Sequence, residues 1–138
     1  MTDTTLQIKN LKISLFLLRL GVLVVFFMWT IDKFINPAHT AAVFSNFYHI
    51  EGLSTVMVYI VGGVQVLILL AFFFGFFKRF SYGLLFLMHL VSTLSTFSRY
   101  LDPWATPNLL FFTAWPMLAA LAALFLMRNE DTLFNIKT

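Results

Sequence analysis

The chain has 138 residues, 60% of them hydrophobic and 11% charged, with a mean hydropathy of +0.89 and a formal net charge of +3. Soluble domains carry about 25% charged residues, so this balance excludes an ordinary aqueous core and points to an integral membrane protein. No basic cluster is longer than Lys78-Arg79, which argues against a nucleic-acid surface, and the absence of cysteine excludes a disulfide, thiolate metal ligation or dithiol exchange carried by this chain.

Residues 1–11 read as a polar tail, mobile or lying at the membrane interface. The first predicted span covers 12–35. Its hydrophobic run is too long for the h-region of a signal peptide and lacks a small-x-small cleavage site, so it is expected to be retained. Within it, residues 19–33 read RLGVLVVFFMWTIDK, roughly 21 Å at 1.5 Å of rise per residue, with a charge near each end. Asn36-Pro37 then looks like a helix start, with proline at the first helical position. Ala41, Ala42, Phe44, Phe47 and Tyr48 give a short apolar face, predicting a small interfacial helix that ends by Gly52.

A second span is predicted over 53–77. Its paired Gly62-Gly63 would let a neighbouring helix approach closely, and Gln65 lies beside them. Lys78-Arg79 forms a very short turn into a third span, 80–99, which forces the second and third spans to be antiparallel neighbours. The loop RYLDPWATPN leads into a fourth span, 109–127, where Pro116 predicts a kink. The tail RNEDTLFNIKT is polar again. The expected fold is all-α: a single-domain, four-helix membrane bundle.

Lysine and arginine outside the cores set the expected topology. Lys9, Lys12, Lys78, Arg79, Arg128 and Lys137 fall on one side, and Lys33 and Arg99 on the other. This asymmetry predicts both termini in the cytoplasm of a bacterial inner membrane. The outer side then carries Asp32, Lys33, His39, His49, Glu51, Arg99 and Asp102, with Tyr48, Tyr100 and Trp104 as interfacial aromatics.

Two spans hold candidate site residues. Arg19, Thr30 and Lys33 share a stripe of the first span, with Leu23 and Phe26. Arg19, two turns deep, is either an anchor reaching for inner phosphates or an interior cation for an anionic or quinoid group. In the third span His89, Ser92, Thr93, Thr96 and Arg99 form a polar arc running from mid-membrane to the outer end. Serine and threonine in such helices commonly bond back to their own backbone. A mid-span histidine needs a partner, and Gln65 is the obvious candidate for a structural bond; the other reading is a proton-handling or ligand-binding group. Haem ligation would need a second histidine at matching depth, and His39 and His49 belong to the outer connection. The same loop groups lack metal-ligand spacing, so no metal is expected. Asp32 or Glu51 could pair with Arg99, and Lys33 with Asp102, either closing the outer end or rimming a pocket.

These residues resemble the DoxX-type family of small four-span bacterial membrane proteins over about 15–127. The match rests on Arg19-Leu20-Gly21, then Asp32, Lys33, Phe34, Asn36 and Pro37, then Gly62, Gly63 and Gln65, Gly75, Lys78-Arg79 and Met88. Gln65 stands where that family often carries a glutamate. The resemblance implies an inner-membrane bundle; some relatives are small subunits of quinone-linked oxidoreductases such as thiosulfate:quinone oxidoreductase, and others resemble partners of redox-stress systems. The leading expectation is an accessory subunit of a redox system, with a protein partner and no chemistry of its own. The alternative is a quinone-binding subunit using Arg19, Lys33, Gln65, His89, Thr96 and Arg99, with Asp32, Glu51 and Asp102 at the outer face. A transporter or channel formed by a homo-oligomer is the third class.

Overall fold

The computed structural model describes residues 3–136; Lys137, counted in the charge asymmetry, lies outside them. Among the described residues the protein is all-helical: α1 (Asp3–Ile35), α2 (Pro37–Tyr48), α3 (Thr55–Phe74), α4 (Lys78–Ser95), the short α5 (Phe97–Leu101), a 3-10 helix (Asn108–Thr113) and α6 (Ala114–Leu126). Three segments are long and apolar enough to cross a membrane: Asp3–Ile35, Thr55–Phe74 and Asn108–Leu126.

Four helices form a closed bundle in the order α1, α3, α4, α6. Their directions follow from side chains that meet at matching depths. Phe34 of α1 stacks on Tyr59 of α3, and Phe72 of α3 meets Tyr82 of α4. Arg19 bonds to Tyr82, while Trp29, further along α1, lies over His89, further along α4. His89 in turn reaches Ala114 at the start of α6, and Gly83 faces Phe125 near its end. The helices therefore alternate up, down, up, down. The core is Leu15, Val22 and Phe26 of α1, Leu69 and Phe72 of α3, Tyr82 and Leu85 of α4, and Leu121 and Leu124 of α6.

Helix ends follow local chemistry. Asn36 caps α2 by accepting from the His39 amide, with Pro37 at the first helical position, and Ser54 caps α3 by accepting from the Met57 amide. α2 ends at His49, which takes a left-handed conformation (φ 56°), three residues before Gly52. α3 ends at Gly75 (φ 71°), whose amide bonds back into the last turn, so the turn takes residues 75–77 and Lys78-Arg79, predicted as the turn, open α4 instead.

Several predicted boundaries move. α1 continues to Asp3 in place of a tail over residues 1–11, because residues 3–11 contain neither proline nor glycine and start with an acid in the first turn. Its 33 residues make it about 50 Å long, well beyond a hydrocarbon core of about 30 Å. The segment 80–99 is not one helix. The hydroxyls of Ser95 and Thr96 bond to carbonyls at Ser92 and Thr93, and the chain breaks at Thr96 before α5. α4 is also less apolar than its neighbours, because Ser81, Tyr82, His89 and Thr93 occupy its buried face. Pro116, where a kink in the first half of the span was predicted, stands beside a change of helix geometry. It falls in the first turn of α6, just after the change from 3-10 to α geometry, where a missing amide proton costs nothing.

Of the paired glycines, only Gly62 makes a close approach. A β-carbon there would lie 2.8 Å from the Phe34 ring and 3.3 Å from Lys33 Cβ, whereas one at Gly63 would meet nothing within 4 Å. The α1–α3 contact is thus seated on a single glycine.

Candidate functional site

Two polar features are built into the bundle, one near each half of α1. The first surrounds Arg19. Buried positions on α1 run Leu15, Arg19, Val22, Phe26 and Thr30, a spacing of three or four that places the guanidinium among core side chains. Arg19 is fully buried, and its partner is equally buried Asp131, 3.5 Å away from Nη1 to Oδ2. Tyr82 joins them: its hydroxyl donates to Asp131 Oδ2 at 2.7 Å and accepts from Arg19 Nη1 at 3.2 Å. Arg19 also donates to the Asn135 side chain and the Leu133 carbonyl.

The segment 127–136 is therefore a folded strap, not a free polar tail. Ile136 donates its amide to the Phe74 carbonyl, and Phe134 packs on Phe16 with ring centres 4.9 Å apart. Gly75 accommodates the strap, since a β-carbon there would lie 2.5 Å from Asn135 Oδ1. Lys78 Nζ donates to the carbonyls of Arg128 and Asp131. A buried arginine engaged in this way acts as a structural clasp, and Arg19 does not line the groove described next.

The second feature is a groove of about 1060 Å³ between α1 and α6, with α4 as its floor. Leu17, Leu18, Gly21 and Val25 of α1 face Leu110, Met117 and Ala120 across it, and Gly21 leaves that wall open, with nothing within 4 Å of where a β-carbon would stand. A mostly apolar concavity of this size, with a few polar groups, is what small-molecule sites look like. The polar side chains here are Ser14, Trp29, His89, Ser92, Thr96 and Thr113, with His89 and Ser92 on α4 and Thr96 at the break after it.

His89 is 2% exposed and is held in place from several sides. Its Nε2 lies 2.9 Å from the Ala114 carbonyl, so Nε2 carries the proton and donates. Trp29 stacks on the imidazole at 6.0 Å with a 27° interplanar angle, and Phe26 meets it edge-on at 6.3 Å. Nδ1 has no hydrogen-bond partner. Buried polar atoms without partners are uncommon in proteins, and this one belongs to a residue that lines the groove. Thr96 bonds to the carbonyls of Ser92 and Thr93 and to the Tyr100 hydroxyl.

The other predicted site residues lie elsewhere. Gln65 is buried in α3 with its Oε1 unpartnered, and His89 bonds to Ala114 where a bond to Gln65 was expected. Lys33 donates to the Trp29 carbonyl of its own helix. Asp32 pairs with His39 at 2.7 Å and not with Arg99. Arg99 lies over the rings of Phe47 and Phe111, with Asn108 Oδ1 3.5 Å from Nη1. Glu51 and Asp102 are exposed and form no ion pair among the described residues. α2 contacts α1, α3 and α4, so these charged groups surround one end of the bundle without converging. Among the described residues no three metal-ligating side chains gather.

Sequence reasoning missed Trp29, Tyr82 and Asp131. The signal for the last two was present: a deeply placed arginine demands a counter-charge, and Asp131 is an acid on the same side of the predicted span. Comparison of the chain with family models, curated proteins and solved structures gives no match.

Proposed function

We propose that the protein binds an amphipathic, quinone-class molecule in the groove between α1 and α6, as a small membrane subunit serving a redox system. The observation that carries this reading is the combination of a 1060 Å³ apolar groove with a buried histidine whose Nδ1 is unpartnered. The apolar walls suit a ring and the start of an isoprenoid tail, and Trp29 adds an aromatic surface beside His89. His89 and Thr96 are the ligand-facing residues. Arg19, Lys33, Gln65 and Arg99 support the bundle, and Asp32, Glu51 and Asp102 belong to its rim.

In this reading α4 is the fourth membrane span. Its 18 residues reach about 27 Å, and its polar face is turned into the bundle, so a lower hydropathy is compatible with crossing. The clasp end carries Lys12, Lys78, Arg79 and Arg128, which favours a cytoplasmic location for it and for both termini in a bacterial inner membrane. The resemblance to DoxX-type proteins supports the redox assignment and a protein partner that performs the electron transfer. The protein would then hold and orient the molecule without catalysing a reaction alone.

The test is purification from native membranes followed by organic extraction. The reading expects quinone in the extract at near-stoichiometric amounts, lost in His89→Leu while the folded bundle survives. A folded protein whose extract contains phospholipid alone, and that binds no added quinone, would refute it.

A further inference from the structure

Arg99 carries a permanent charge that nothing around it neutralises. The other cations tied into the bundle are answered: Arg19 by Asp131, Lys78 by the Arg128 and Asp131 carbonyls, and Lys33 by the Trp29 carbonyl. Arg99, in α5 just past the break at Thr96, has no carboxylate within ion-pair distance among the described residues. Glu51 and Asp102 at the same end are exposed, so their charges are solvated and screened and leave Arg99 uncompensated.

Three elements hold the guanidinium in place. It lies 5.6 Å from the ring centre of Phe47 in α2 and 5.9 Å from that of Phe111 in the 3-10 helix. Those two rings are themselves 5.9 Å apart. Asn108, only 4% exposed, sets its Oδ1 3.5 Å from Nη1 and is fixed in turn by donating Nδ2 to the Asp102 carbonyl at 2.8 Å. Ring faces attract a cation and keep water from part of it, but they carry no net charge to cancel it. The nitrogens differ in what they can still do. Nε is enclosed and out of reach of a ligand, whereas Nη2 makes no hydrogen bond among the described residues and is not enclosed. Both N–H groups of Nη2 are therefore open to the surface.

The depth of this group matters. The apolar segments Asp3–Ile35, Thr55–Phe74 and Asn108–Leu126 each have a terminus at this end of the bundle, and Asn108 is the residue beside Arg99. The guanidinium thus stands where apolar spans give way to headgroups, in surroundings of lower dielectric than water, where an uncompensated charge draws an anion strongly. From this we infer that Arg99 is the cation of a phosphate site, with Nη2 donating to an oxygen of a phosphate group carried by a membrane lipid or by free phosphate. Such a charge-assisted bond is about twice as strong as one to a neutral oxygen. The site lies just beyond the groove, sharing Phe111 with it, and does not depend on what the groove holds.

The test is native mass spectrometry of the delipidated full chain in non-ionic detergent, with phosphatidylcholine, digalactosyl diacylglycerol and inorganic phosphate as probes. The two lipids share their acyl chains and have no net charge, so the phosphate is what separates them. Phosphatidylcholine is expected to bind about tenfold more tightly than the galactolipid, the ratio of one charge-assisted hydrogen bond. Arg99→Gln should bring it down to the galactolipid level, and Lys33→Gln, a cation lost at the same end, should leave it unchanged. If Arg99→Gln does not fold, phenylglyoxal modification of the unaltered chain decides: Arg99 should react with galactolipid present and be protected by phosphatidylcholine. Protection by phosphatidylcholine alone supports the site with a lipid headgroup as the source. Protection by inorganic phosphate as well supports it with the free anion as a second source. Equal binding of the two lipids, an equal loss in Lys33→Gln, or an Arg99 that no phosphate protects would each overturn the inference.

Discussion

Asp131→Ala removes the carboxylate that pairs with a fully buried guanidinium. Both side chains are at 0% exposure, and the same Oδ2 also accepts the Tyr82 hydroxyl at 2.7 Å. Removing one member of a buried pair costs about 3–5 kcal/mol, because the other charge stays behind without compensation. Arg19 keeps Tyr82, Asn135 and the Leu133 carbonyl as acceptors, so the lower end of that range, about 3 kcal/mol, is expected. Arg19→Met combined with Asp131→Leu removes both charges and fills the space with apolar groups, and such replacements are often neutral or stabilising. The assay is reversible denaturation in mixed micelles, run as a double-mutant cycle with all four proteins. A coupling energy of at least about 2 kcal/mol is expected between the two positions. Additive effects, or a loss below about 0.5 kcal/mol for Asp131→Ala, would mean that Arg19 does not depend on Asp131, as an arginine reaching phosphates at the membrane face would not.

Other positions give independent checks. Gly75→Ala places a side chain at φ 71° and against Asn135, so about 1–2 kcal/mol of backbone strain adds to a collision, and carboxypeptidase should digest the strap faster than in the unaltered protein. Gly62→Leu should cost about 1–3 kcal/mol by driving into Phe34 and Lys33, whereas Gly63→Leu, which meets open space, should stay within about 0.5 kcal/mol in the same denaturation assay. Asp32→Asn breaks a pair whose histidine is 58% exposed, so it should change stability by less than about 1 kcal/mol and leave ligand binding intact.

How much of this was legible depended on whether the deciding partner was local. The cap at Asn36-Pro37 is local and could be read from residue types alone, whereas the short turn was expected at Lys78-Arg79 and lies three residues earlier, where Gly75 takes the left-handed conformation. The membrane character of α1 and α3 was equally plain, because apolar length is a property of the segment itself. Arg19 was harder. Its depth announced a need for a partner, but the partner lies 112 positions away, in a stretch whose polar composition resembled an ordinary tail. A polar tail and a folded strap have the same composition; what separates them is an unsatisfied charge to fold onto. For His89 the sequence showed an ionisable group that needed satisfying, yet the group that answers is the Ala114 backbone carbonyl, which every residue type carries and no sequence pattern marks. The two glycines differ only by rotation about α3. The period of a helix says that adjacent residues face about 100° apart, and the structure says which of them meets Phe34. The break at Thr96 reflects competition by side-chain hydroxyls for backbone carbonyls, a contest that the run of serine and threonine announced without locating.

The groove can be tested most directly by photolabelling in native membranes with an azidoquinone, followed by mapping of the adducts by mass spectrometry. Occupancy of the groove predicts adducts concentrated on Leu17, Gly21, Leu110 and Met117, competed away by excess unlabelled ligand and lost in His89→Leu. Adducts spread equally over the exposed face of α3, at Val64 and Leu67, and insensitive to competitor would show the label sampling lipid alone, and would contradict the account.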